Sequence, residues 1–127
     1  PSSKMSVFQI FMFVFIYASL AEELLYRGFL QNFLEPLKEK GIRLLNRKIS
    51  MPHFICTFLF GLCHLIPSKT PGNNISVIGI VLSSFLIGIV SGYFQEKNNN
   101  NAHAIITHMS ANVVGLIGVS MMNLMVK

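Results

Sequence analysis

Charge is what this chain has least of. Asp, Glu, Lys and Arg make up 12% of its 127 residues, where a soluble domain carries about a quarter. With 52% hydrophobic residues and a mean hydropathy of +0.57, an ordinary small soluble domain is a poor fit. A very apolar soluble helical domain competes, but several apolar runs approach ~20 residues, the length that crosses a bilayer. Cysteine is also scarce. Cys56 and Cys63 stand seven residues apart on one predicted helix, about 10 Å along its axis and too far for a disulfide. The absence of Cys-x-x-Cys removes redox and zinc-knuckle readings. His-Glu-x-x-His is missing as well, so the usual zinc-protease helix is excluded. The first apolar run is not read as a secretory signal, because it lacks the short apolar region and the small-residue cleavage site of one. Since the chain starts at Pro1 rather than Met, it is read as the core of a longer protein with further spanning helices upstream. The formal net charge of +5 does not imply a nucleic-acid partner. Its excess lies in one connector between apolar runs, as membrane topology demands.

What is present reads as four helices. Helix A covers residues 5–34 and is stopped by Pro36. A basic amphipathic connector over residues 38–48 is expected to lie on a membrane surface. Helix B starts with Ser50 as N-cap and Pro52 in its first turn, and runs to about Ile66, before Pro67 and Pro71-Gly72. Helix C, residues 75–93, carries Ser84, Gly88 and Gly92 every four residues, a stripe that admits a close helix neighbour. Asn101 is expected to cap helix D, residues 102–126. The fold class is therefore all-α, a polytopic transmembrane helix bundle of about four helices, with residues 1–127 forming one domain. One side of the membrane receives Lys38, Lys40, Arg43, Arg47, Lys48 and Lys97; the other receives Lys4, Lys69 and Lys127. The positive-inside rule puts the A–B connector in the cytoplasm.

Polar residues stand where the helices are otherwise apolar, and such residues at membrane depth are expected to be functional. On an ideal helix Glu23 and Arg27 lie about 40° apart and Glu22 about 140° from Arg27. Glu23 is expected to form an ion pair, which leaves Glu22 for chemistry. His64 on helix B and His108 and Asn112 on helix D complete a set from three helices. Hydrolysis needs such a set, a base to activate water and donors to steady an oxyanion. Glu22 lies ~18 Å from the end of helix A and His64 ~21 Å from the start of helix B, but His108 lies only ~10 Å into helix D. Either helices A and B overhang the membrane by one or two turns or helix D starts deeper, and the polar character of residues 26–35 favours the overhang. His53 and His103 are left outside the site.

In order along the chain these residues give Glu22-Glu23-x-x-x-Arg27, Phe60-x-x-x-His64 and His108-x-x-x-Asn112. The three motifs resemble those of the CPBP intramembrane proteases, the CAAX protease and bacteriocin-processing (Abi) family. The resemblance implies an intramembrane endopeptidase acting near the cytoplasmic face on a peptide or membrane-protein substrate, in contact with membrane lipid. It implies Glu22 as the catalytic carboxylate, with His64, His108 and Asn112 in the site and Glu23, Arg27 and Phe60 in support. A bacterial cytoplasmic membrane is the expected location. Two chemistries fit: zinc held by Glu22, His64 and His108, or a metal-free site in which Glu22 is the base and His108 with Asn112 binds the oxyanion. A non-catalytic immunity or peptide-binding scaffold protein is the alternative function. Oligomeric state is open, because the Ser84, Gly88, Gly92 stripe suits either internal packing or a dimer.

Overall fold

The computed structural model describes residues 6–44, 47–65 and 74–125. Helix α1 spans residues 7–33 without a break. Its hydrogen bonding widens to the π pattern over Phe11–Ala18 and again over Leu24–Gln31, with α winding over Ser19–Glu23 between them. In an α-helix every fourth residue advances by about 40°, whereas the wider i→i+5 turns carry each step back. The two windings together keep Ser19, Glu23, Arg27 and Gln31 on one face, and all four are buried. Phe8, Phe13, Tyr17, Phe29 and Phe33 point outward.

Pro36 ends α1 as predicted, within the short 3-10 turn Glu35–Leu37. The connector that follows is not an amphipathic helix. Strands β1, Gly41–Leu44, and β2, Arg47–Ser50, pair antiparallel, with Gly41 opposite Ser50 and Ile42 opposite Ile49. Gly41 permits this pairing, since a Cβ there would overlap the Ile49 carbonyl. A further bond from Met51 N–H to Lys40 O, 2.8 Å, ties the hairpin to the next helix.

Helix α2, Met51–Cys63, begins as expected, with Ser50 Oγ accepting the His53 N–H at 3.2 Å and Pro52 in the first turn. Helices α3, Asn74–Asn98, and α4, Asn101–Met125, are joined by a tight turn in which Asn99 has φ 48°. Asn100 accepts the Ala102 N–H at 2.9 Å and so does the capping assigned to Asn101. The Asn101 amide instead donates to the Glu23 carbonyl at 3.0 Å. The start of α4 therefore lies beside the middle of α1, and α1 runs past it. The expected breaks at Ile66, Pro67 and Pro71-Gly72 fall outside the described residues, as do Met5 and Val126.

Helix α3 packs between α2 and α4. Small residues set the approach: a Cβ on Gly88 would come within 3.1 Å of Thr57, one on Gly61 within 2.6 Å of Phe85, and one on Gly92 into the His53 ring. Among the described residues, Val77–Asn98 is long and apolar enough by itself to cross a membrane. Few apolar side chains are buried among those described, Phe15, Pro52, Cys56, Phe60 and Ala104, whereas Ile78, Leu82, Leu86, Val114 and Ile117 lie on the outside. That inversion suits a bundle solvated by lipid. Apart from the hairpin the architecture is the expected all-α membrane bundle.

Candidate active site

The site is built around Phe60, which has no exposed surface. Its ring meets Tyr26 edge-on at 5.2 Å, His108 edge-on at 5.5 Å and His64 at 4.8 Å. The Arg27 guanidinium carbon lies 4.6 Å above the same ring. One aromatic residue thus spaces side chains from α1, α2 and α4, with a cation on the negative face of the ring.

Glu23 and Arg27 form the expected pair, Nε to Oε2 at 3.4 Å, both fully buried. Arg27 also donates from Nη2 to the Gly88 carbonyl at 3.0 Å. Glu23 has a second partner that the helical wheel did not indicate: its Oε1 accepts from His108 Nδ1 at 3.0 Å. His64 Nδ1 donates to the Phe60 carbonyl at 2.8 Å. With Nδ1 of both rings occupied as a donor, both rings present Nε2 toward the centre.

Glu22 faces those two nitrogens. Its Oε2 lies 3.9 Å from His64 Nε2 and 3.9 Å from His108 Nε2. That oxygen is buried and makes no hydrogen bond to a described residue, although the side chain as a whole is 34% exposed. The carboxylate is therefore accessible on one side and turned to the imidazoles on the other. A separation of 3.9 Å is too long for a hydrogen bond, but it accommodates one water about 2.8 Å from each group.

Asn112 lies one turn beyond His108 on α4, and its amide donates to Ser19 Oγ at 2.9 Å. Ser19 is buried and was not singled out from sequence; its place four residues before Glu23 was the available signal. Asn101 at the Glu23 carbonyl had no such signal, because the contact joins residues 78 positions apart. Tyr26, which donates to Cys63 Sγ at 2.9 Å, closes the α1–α2 side. His53 lies apart from the site, 3.9 Å from Glu96, and His103 stacks on Phe94 at 6.2 Å.

The donor set of Glu22, His64 and His108 has zinc-like chemistry, two neutral imidazoles whose other nitrogens are held by a carboxylate and a carbonyl. Two ligands of a tetrahedral zinc at 2.0–2.1 Å stand about 3.4 Å apart, against 3.9 Å for both Glu22–His separations. Among the described residues no group of three His, Cys, Asp or Glu is arranged to hold a metal ion.

A family model described as Rce1-like, type II CAAX prenyl endopeptidase, matches residues 4–114 and so spans every residue of this constellation. No curated protein and no solved structure matches the chain.

Proposed function

The chain belongs to the Rce1-like type II CAAX prenyl endopeptidase family, a family of intramembrane proteases, and from that premise we propose that Glu22 is the general base that activates the hydrolytic water. The observation that carries this reading is the convergence of two Nε2 atoms, from α2 and α4, on one buried Glu22 oxygen at 3.9 Å. A water held between them donates one proton to Glu22 and turns its oxygen toward the scissile carbonyl. Attack forms a C–O bond, and the carbonyl π electrons move to oxygen as an oxyanion. His108 takes a proton from solvent at Nε2, with Glu23 at Nδ1 supplying the countercharge, donates that N–H to the oxyanion and keeps the proton when the oxyanion collapses. Asn112 gives one amide N–H to Ser19 and has a second for the same oxyanion. Collapse breaks the C–N bond, and the proton taken by Glu22 passes to the leaving amine. His64, fixed by the Phe60 carbonyl, orients the water.

No step of this scheme needs a metal. The substrate is a protein or peptide, as the family implies. We place its cleavage near the cytoplasmic face of a bacterial cytoplasmic membrane, on a membrane-associated segment, because His108 lies only ~10 Å into α4 from the end of the bundle where the basic hairpin meets Tyr93 of α3.

The test uses the purified full chain in liposomes with a peptide library, comparing wild type, Glu22→Gln and Glu23→Gln, with and without a chelator. Cleavage by wild type that survives chelation and is lost in Glu22→Gln supports the scheme. Undiminished cleavage by Glu22→Gln would overturn the role of Glu22. Loss on chelation with recovery on added zinc would overturn the metal-free chemistry. No cleavage under any condition would favour the peptide-binding scaffold instead.

A further inference from the structure

On the side of α2 away from the catalytic constellation, a groove runs between α2, α3 and the hairpin. Its wider part is a cavity of about 690 Å³ lined by Arg47, Lys48, Ile49, His53, Tyr93 and Phe94, among others. A narrower part of about 190 Å³ continues it, sharing Ile49, His53 and Ile89 and adding Phe54, Phe58 and Phe85. Polarity changes in one direction only. Both cations sit at the hairpin end, and the far end is aromatic and aliphatic. From Glu96 to Phe85 along α3 the groove is ~16 Å long.

The mouth has the composition of a headgroup site. Arg47 Nη1 donates to Tyr93 Oη at 3.2 Å, its guanidinium carbon lies 5.8 Å from the Tyr93 ring centre, and Lys97 Nζ lies 5.7 Å from the same centre. Tyrosine with Arg and Lys at a helix end is the usual arrangement at a membrane interface. Lys48 pairs with Glu39 at 3.6 Å, but both side chains are largely exposed and the pair is weak. Glu96 also lines the mouth; its oxygens turn to Ser50 and His53. The outer face of α3 beside the groove, Ile78, Leu82, Leu86 and Val90, is exposed on the membrane-length helix. A chain can therefore enter sideways from the bilayer while its headgroup stays at the level of the hairpin.

We propose that this groove binds one anionic membrane phospholipid, its phosphate on Arg47 and Lys48 and one acyl chain against Phe54, Phe58, Phe85 and Ile89. The proposal rests on the membrane-spanning architecture and uses none of the proposed catalytic residues. Phosphate complements the two cations, and a chain in a lateral groove costs little because it exchanges one apolar surround for another.

Native mass spectrometry of the full chain released from detergent, titrated with phosphatidylglycerol or with phosphatidylcholine of the same chains, tests it. Wild type should bind one phosphatidylglycerol in preference to phosphatidylcholine. The pair Arg47→Gln, Lys48→Gln should weaken binding by about 30-fold, about fivefold for each cation. The control pair Lys40→Gln, Arg43→Gln, in the same connector but outside the groove, should lose much less. Ile89→Trp should block the chain and abolish the preference, with Val90→Trp replacing it should helix content fall. Equal loss in the control pair, equal binding of the two lipids, or unchanged binding in a groove-filling variant that retains its helix content would each overturn the proposal. So would displacement of the lipid by a prenylated peptide at lower concentration, which would make the groove part of the substrate path.

Discussion

Glu23 has no exposed surface, and its oxygens are taken by Arg27 Nε at 3.4 Å and His108 Nδ1 at 3.0 Å. Its neighbour Glu22 keeps one side accessible and turns the other to two imidazoles. Substitutions should therefore separate chemistry from structure. Glu22→Gln is expected to lower turnover by about 10²- to 10⁴-fold with helix content and melting temperature near wild type. Glu23→Ala should instead cost about 3–5 kcal/mol of stability, because it leaves the buried Arg27 without its countercharge. Thermal melts in detergent beside single-turnover rates check both; a stable, active Glu23→Ala would show that Arg27 finds another anion. Phe60 presents a third case. It touches no reacting atom, yet Phe60→Ala removes the ring that spaces Tyr26, Arg27, His64 and His108. A loss of about 3–5 kcal/mol is expected, seen as a lower melting temperature.

At the scale of elements, α1 holds its polar face by alternating two windings, and α3 approaches its neighbours through residues without bulk. Gly92 lies against the His53 ring and Gly61 against Phe85, whereas Gly79 and Gly115 have no described residue near them. Gly92→Ala should lower stability by about 1–3 kcal/mol, while Gly115→Ala should be neutral or stabilising by up to about 1 kcal/mol, as for an exposed helical glycine. Comparing the two melts checks whether the packing of α2 on α3 is as close as described. The small-residue stripe that foretold this contact was legible because its period matches the helix. So were Ser50 as a cap, Pro36 as a stop and the Glu23–Arg27 pair, which depend on residues within four positions of one another. The β1–β2 hairpin was not. Five cations alternating with Ile42 and Leu44 read equally as a surface helix, and the pairing of Ile42 with Ile49 is decided by what the connector rests on. The three motifs foretold that α1, α2 and α4 would meet, but not the bonds from His108 to Glu23, Asn112 to Ser19 or Asn101 to the Glu23 carbonyl. Each depends on the depth and rotation of α4, which packing decides.

For the molecule as a whole, the ends of the bundle differ in charge, and that difference orients the proposed site. The hairpin end carries Lys38, Lys40, Arg43, Arg47, Lys48 and Lys97. The opposite ends of α3 and α4 present Ile78, Ile80, Leu82, Val114, Leu116 and Ile117. Basic connectors resist transfer across a bilayer, so the hairpin should stay in the cytoplasm. The site, with His108 ~10 Å into α4 from the hairpin end, would then take its water from the cytoplasmic side. Of the native thiols Cys56 is buried and Cys63 is exposed, so a Cys63→Ser background allows single reporters. Lys40→Cys at the hairpin should react with a membrane-permeant maleimide in intact cells and resist an impermeant one until the cells are opened. Gly115→Cys, with no described residue packed on it, should react poorly with both reagents if it lies in lipid, because maleimides need the thiolate and hydrocarbon does not support it. Labelling of Lys40→Cys by the impermeant reagent in intact cells would reverse the orientation. The proteolytic reading would survive that result, but its water and its substrate would then have to come from the outer side of the membrane.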